Sequence, residues 1–208
     1  MKELQFLRQD ECHEWAGAVM RLAPYAIDQG GFYTLGMPAY IADKEQYAGL
    51  ANTYNAMLIQ NFNALYEGLR SVLSEHFDTP VGYFNDGGLR PSFHIFDSLS
   101  VKREASIHID EQYENVIALE GREWKDPFTL TVPIMLPEGV NGLDMWPEGA
   151  LTSEPPTELI EYTPGKMYIH SGAAPHRIHK PETFKGGAFR ITLQAHGVHT
   201  PAGVVLYW

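Results

Sequence analysis

The sequence has a single cysteine, Cys12, so no internal disulfide framework is available to it, and the fold must rest on its core. That usage fits a reducing compartment. Basic residues are also scarce, with 15 Lys and Arg against 26 Asp and Glu and a net charge of −11. General nucleic-acid binding needs a basic footprint to meet phosphates, so that class is set aside in favour of a small-molecule or protein substrate. No apolar run approaches the ~18 residues of a membrane span. The segment Met1 to Asp10 is polar and mixed in charge, without the apolar core of a signal peptide. The expectation is a soluble, cytoplasmic protein. Internal repeats and low-complexity tracts are missing too.

What is present suits one globular domain. The 208 residues are 44% hydrophobic and 12% aromatic, enough for a sizeable core. Two regimes meet near residue 80. Residues 1–79 read as mainly helical support, and 80–208 as a β core. Asp10 is placed to cap a helix over Glu11–Leu22 that Pro24 ends. After Gly30-Gly31 comes a short apolar stretch, Phe32–Ile41. Asp43 then opens the longest periodic segment, running to about Phe77. In it Tyr47, Leu50, Tyr54, Met57, Leu58, Leu65, Leu69, Val72 and Leu73 recur near helical spacing.

Beyond Pro80 the pattern changes to short extended runs broken by Gly, Pro and Asn. They are Val81–Phe84, Ser92–Phe96, Ala105–Asp110, Phe128–Leu136, Met167–His170, Phe189–His196 and Gly203–Trp208. Such a series predicts a sandwich or barrel, with the helices packed outside it because no polar linker separates the two parts. Pro147–Pro164 reads as a loop and Gly186-Gly187 as a tight turn.

Three segments carry the chemistry. In Ser106-Ile107-His108-Ile109-Asp110, a strand would project His108 and Asp110 from one face. An imidazole and a carboxylate so placed are two thirds of a facial triad, which leaves metal positions open. Taken alone, the same pattern also describes an ordinary solvated strand face. The second segment is Pro164-Gly165-Lys166-Met167-Tyr168-Ile169-His170-Ser171-Gly172-Ala173-Ala174-Pro175-His176-Arg177-Ile178. It has a turn, a strand, a small-residue loop and a histidine before an apolar residue. In the third, Phe189–His196, the residues Arg190, Thr192, Gln194 and His196 share one face, and Ile191, Leu193 and Ala195 the other. That alternation suits a strand lining a polar cavity with its apolar face against helices, and suits a surface strand equally well.

Together these segments resemble the iron(II)- and 2-oxoglutarate-dependent oxygenase family over roughly residues 80–200. The family pattern is His-x-Asp, a distal His some tens of residues later and an Arg-x-Ser/Thr pair soon after. Here 66 positions separate Asp110 from His176, and 14 separate His176 from Arg190. The resemblance implies a double-stranded β-helix (jelly roll) supported by N-terminal helices. It further implies an iron(II) site of His108, Asp110 and His176, with 2-oxoglutarate and O2 as cosubstrates. The far carboxylate of 2-oxoglutarate needs a fixed cation. Arg190 suits it, since a planar fork grips a carboxylate with two charge-assisted bonds, and Thr192 can add a third. Asp110 also argues against chlorination, because halogenating relatives replace that carboxylate with a small residue.

The chain has nine histidines, so rivals exist. His170 would sit inside a strand, where the family places no ligand, and His179 falls three residues late. His94 reads as a satisfied core histidine or a pocket residue, and His196 as a pocket or strand-end residue. His13, His76 and His199 look like surface or helix positions. Trp146, Arg103 and Arg122 are further candidates for substrate contact, each with packing or solvation as the plainer role. Val204–Trp208 predicts a final strand or, alternatively, a homodimer contact. Two other functional classes remain open: a cupin-like metal-binding jelly roll that does not use 2-oxoglutarate, and a β-sandwich binding module without metal.

Overall fold

The computed structural model describes residues 1–40, 43–85, 87–97, 105–139, 141–179 and 189–208. The helical half forms as α1 (Gln9–Leu22) and α2 (Lys44–Phe77). Asp43 caps α2, its side chain accepting from the Gln46 amide at 2.8 Å. The start of α1 differs from expectation. Arg8 is the cap residue, and Asp10 lies inside the first turn, where its carboxylate pairs with Arg8 at 3.2 Å. Glu11 reaches back to the Arg8 amide at 2.8 Å and satisfies one of the free donors that a helix start leaves. A short 3-10 turn, Ala23–Tyr25, follows α1 and contains Pro24.

The buried stripe of α2 runs through Tyr47, Ala51, Asn55, Leu58, Phe62, Leu65, Tyr66, Leu69 and Leu73. Expected members Leu50, Tyr54, Met57 and Val72 flank it and are only partly buried. Asn55 belongs to this apolar stripe because both ends of its amide are used. Its Nδ2 donates to Gly88 O at 3.0 Å, and its Oδ1 accepts from the Arg90 amide at 2.8 Å. An N-cap carboxylate contributes about 1 kcal/mol. Asp43→Ala should therefore lower unfolding stability by roughly that amount in urea titration, with the denaturant slope unchanged.

Among the described residues, twelve strands, numbered in chain order, form two sheets. The larger contains β1 (Lys2–Gln5), β2 (Ile27–Asp28), β3 (Tyr33–Thr34), β4 (Val81–Tyr83), β5 (Ser92–Phe96), β6 (Lys125–Met135), β9 (Lys166–Ser171), β11 (Arg190–Thr200) and β12 (Gly203–Tyr207). The backbone order is β1-β9-β6-β11-β5-β3-β2, with β12 against β11 and β4 against β12. The smaller sheet is β10 (His176–Ile178), β7 (Gly142–Met145) and β8 (Glu158–Glu161), in that order. Every pairing is antiparallel except β4 with β12. This is the expected jelly roll.

The two faces of the large sheet differ in chemistry. Its outer face presents Phe93, Ile95, Leu130, Val132, Ile134, Met167, Ile169, Ile191, Leu193 and Ala195, which share one core with α1 and α2. Its inner face carries polar rows set by strand register. One row is Ser92, Gln194, Thr131 and Tyr168, and the next is His196, Thr129 and His170. Tyr168 leaves that face to join Leu143, Met145, Ile160, Tyr162 and Ala174 in a second core that seats the small sheet. The surface-strand reading of β11 is thereby excluded. Arg190 and Thr192 are 3% and 0% exposed.

Three strand expectations need correction. Residues 105–110 form no strand; among them only His108 makes a bridge. The loop expected over Pro147–Pro164 contains β8, whose alternation Glu158-Leu159-Ile160-Glu161 buries only Ile160. His199, expected at a surface or helix position, is instead a half-buried strand residue. It lies on β11 with its ring 5.1 Å from Phe77 and 5.8 Å from Phe128. The Gly186-Gly187 turn lies outside the described residues. Gly165, in contrast, explains itself: it has φ +86, and a Cβ there would stand 2.3 Å from Leu7 O. Only glycine lets the turn before β9 pass that close to the Leu7 backbone that follows β1.

Candidate active site

The segment around His108 is held by backbone bonds rather than by membership of a strand. His108 and His176 exchange both amide bonds, at 3.0 and 2.9 Å, the doubly bonded antiparallel pairing that sets two opposed side chains on one face. The Asp110 amide then donates to Gly172 O at 2.8 Å. Gly172 is required there, since a Cβ would meet Asp110 O at 2.9 Å. One ligand atom from each of His108, Asp110 and His176 consequently lies within 4.8 Å of the other two. His108 Nε2 is 3.9 Å from Asp110 Oδ1, and His176 Nε2 is 3.4 Å from Asp110 Oδ2.

The donor set fits a divalent metal. The two imidazoles face backbone carbonyls through Nδ1, His108 to Ser106 O and His176 to Ala174 O, each at 2.9 Å. A carbonyl only accepts, so Nδ1 carries the hydrogen and each Nε2 keeps its lone pair for a metal. Burial pushes the His176 pKa down despite the nearby Asp110, which favours the neutral form a metal needs. Burial alone would raise the pKa of Asp110. His196, His176, His108 and the Thr129 hydroxyl outweigh it and hold the carboxyl well below the usual carboxylate range. Two imidazoles and one carboxylate on one side leave the opposite positions open. His108 is the exposed member, at 45% of its side chain, against 5% for Asp110 and 4% for His176.

Both oxygens of Asp110 are fixed from behind. Gln112 Nε2 donates to Oδ1 at 2.9 Å and Thr129 Oγ1 to Oδ2 at 2.5 Å. Thr129 has one hydrogen, so toward His196 Nδ1, 3.0 Å away, it accepts. The chain His196 to Thr129 to Asp110 therefore runs in one direction, and His196 reaches the site through Thr129 rather than as a ligand. Outer-shell bonds of this kind are worth roughly 10- to 100-fold in metal affinity. Thr129→Val, nearly equal in volume, should weaken binding of iron(II) or cobalt(II) in that range, and Thr129→Ser should restore it; metal titration checks both.

Across the same inner face sits Arg190, buried between the rings of Phe96 and Tyr162, at 5.4 and 5.7 Å. Among the described residues it has no carboxylate partner. Its Nε, the Thr192 hydroxyl and the Tyr162 hydroxyl are all buried without a hydrogen-bond partner. Burial lowers the pKa of the guanidinium and pushes the Tyr162 hydroxyl up to about 12, so neither loses its proton near neutrality. Three unmatched groups that can donate, around an uncompensated buried cation, describe an anion site. Tyr162 was missed in the sequence because it follows a strand that was itself read as loop.

The remaining candidates separate. His94 is buried on β5 and bonded to Tyr40 Oη at 2.6 Å, with Phe32 edge-on at 5.2 Å. Burial takes its pKa down to about 3. Tyr40 and Phe32 come from the stretch that reads merely as apolar in the sequence. Trp146 is packed rather than open to a cavity: its Nε1 donates to Glu154 O at 2.8 Å and the Arg177 guanidinium covers the ring. Arg122 is exposed with its guanidinium over Phe84, not against the triad. Arg103 lies outside the described residues. His179 pairs with Asp144 at 2.7 Å, and His170 is inside β9 with its ring 4.6 Å from that of His176.

No protein-family model and no curated protein matches the chain. Solved structures do match in fold. An N-substituted L-amino acid dioxygenase from Burkholderia ambifaria superposes with a TM-score of 0.58 at 12% identity, covering 99% of this chain and 85% of that one. The same enzyme in complex with alpha-KG gives 0.55. The non-haem alpha ketoglutarate dependent epimerase SnoN from nogalamycin biosynthesis gives 0.55 at 11% identity, covering 93% and 75%. A 2OG-Fe(II) oxygenase family oxidoreductase from Burkholderia pseudomallei gives 0.54 at 14% identity, covering 93% and 80%. Among the described residues, no helix is long and apolar enough to cross a membrane.

Proposed function

We propose that this chain is a non-haem iron(II) oxygenase that consumes 2-oxoglutarate while oxidising a small molecule such as an amino acid or a natural-product intermediate. In this reading His108, Asp110 and His176 hold the iron. Arg190 and Thr192, joined by Tyr162, hold the far carboxylate of 2-oxoglutarate. The observation that carries it is the pairing, on one inner face, of a metal-type triad with a buried cation that has no counter-ion among the described residues. Proteins of the same fold support it, one named as alpha ketoglutarate dependent, one as a 2OG-Fe(II) oxygenase family member and one solved in complex with alpha-KG. When bound, the iron supplies O2 activation. The chain's own part is to present two imidazole Nε2 atoms and one carboxylate and to anchor the cosubstrate.

A cupin-like metal site that ignores 2-oxoglutarate is disfavoured by the same feature. It has no need of an arginine buried at this cost, since an unpaired buried charge costs several kcal/mol. The test is anaerobic addition of iron(II) and 2-oxoglutarate. The weak visible charge-transfer band of a chelated keto acid should appear, and N-oxalylglycine should abolish it by competition. Tight iron binding without the band would move the assignment to the cupin-like class. Succinate release across a panel of amino acids and related acids then searches for the substrate.

A further inference from the structure

The unmatched buried atoms of the site divide by polarity. Around Arg190 they can donate: its Nε and the hydroxyls of Thr192 and Tyr162. Beside the metal ligands they accept. His170 Nδ1 lies 2.9 Å from Ser171 O, which can only accept, so the hydrogen is on Nδ1 and the neutral ring offers a lone pair at Nε2. That Nε2 is buried and has no partner, and its ring stands 4.6 Å from His176. Strand register puts His170 opposite Thr129, the residue bonded to Asp110. Gln112 repeats the pattern. Its Nε2 is committed to the Asp110 carboxylate, which leaves Oε1 buried and without a partner. His170 and Gln112 are 4% and 8% exposed.

Neither cosubstrate can answer these two acceptors. 2-Oxoglutarate has two carboxylates and a ketone, all acceptors near neutrality, and O2 has no hydrogen. A buried acceptor left unmatched is costly, so something that donates belongs there. We infer that the substrate carries an N–H or O–H group close to the carbon it presents to the metal, and that His170, with Gln112, receives it. This rests on the oxygenase reading above. It makes His170 a specificity-determining residue and not a spare metal ligand.

The test uses the full chain loaded with nickel(II) and 2-oxoglutarate, which binds substrate without turnover. The probes are matched pairs: L-amino acids against their N,N,N-trimethyl betaines, and hydroxy acids against their O-methyl ethers. Equilibrium binding should favour the donor-bearing member of at least one pair by about tenfold or more. In His170→Phe that ratio should fall toward one, whereas a purely steric preference would survive the substitution. The iron(II)–2-oxoglutarate band in the same variant reports that its site is folded, and Gln112→Met gives a second variant if it is not. Equal binding of both members, binding of none, or an unchanged ratio in the variants overturns the inference while the band leaves the oxygenase reading standing. Absence of the band in the unmodified chain removes that reading, and this inference with it.

Discussion

His108→Ala, Asp110→Ala and His176→Ala are each expected to abolish turnover and to weaken iron(II) binding by more than about 100-fold. Loss of an outer-shell contact alone costs 10- to 100-fold, and removal of a ligand exceeds that. The three variants differ in what else they disturb. His108 is 45% exposed in its side chain, so its truncation leaves little cavity and should keep the fold. Asp110→Ala strands the Thr129 and Gln112 donors that bond its oxygens, and should lower thermal stability as well. His176 is buried and bridged to His108 only by backbone, so His176→Ala removes the ligand without releasing the segment. Metal titration with a melting curve separates these effects. Full iron binding in His176→Ala, with loss in His170→Ala or His179→Ala, would reassign the distal ligand.

Arg190→Lys is expected to lower affinity for 2-oxoglutarate by roughly 10- to 150-fold, the worth of a charge-assisted hydrogen bond at about 1.5–3 kcal/mol. Lysine keeps the charge and loses the planar fork. It also loses the stacking that holds the guanidinium between Phe96 and Tyr162, so the charge is less well aimed. Iron affinity measured without 2-oxoglutarate should barely change, because Arg190 does not touch the triad. Equal loss of both affinities would signal a folding defect. In the unmodified protein the cosubstrate relieves an uncompensated buried cation. At 100 times its Kd it should add about 2.7 kcal/mol of stability, readable as a raised Tm, and that increment should shrink in Arg190→Lys.

Periodicity and residue type alone determined much of this protein. The long α2 and its Asp43 cap, the edges of β5 and the polar and apolar faces of β11 were legible because each depends on local spacing, whereas the grouping of His108, Asp110, His176 and Arg190 came from the resemblance to a known family. Local spacing also misled. The spacing predicts a strand over 105–110 to aim His108 and Asp110 together, and no strand forms there. The backbone instead leans on Gly172 and His176, residues more than sixty positions away, and only long-range hydrogen bonds could supply that. Short strands such as β7, β8 and β10 take their identity from partners rather than from their own pattern. The tertiary structure likewise decided which histidine does what. His176 and His170 sit six positions apart, yet one aims Nε2 at Asp110 and the other leaves Nε2 unmatched. Register across β6, β9 and β11 makes that difference. It brings Thr129 between His196 and Asp110, while packing in the second core sets Tyr162 beside Arg190, contacts between residues that no sequence interval relates.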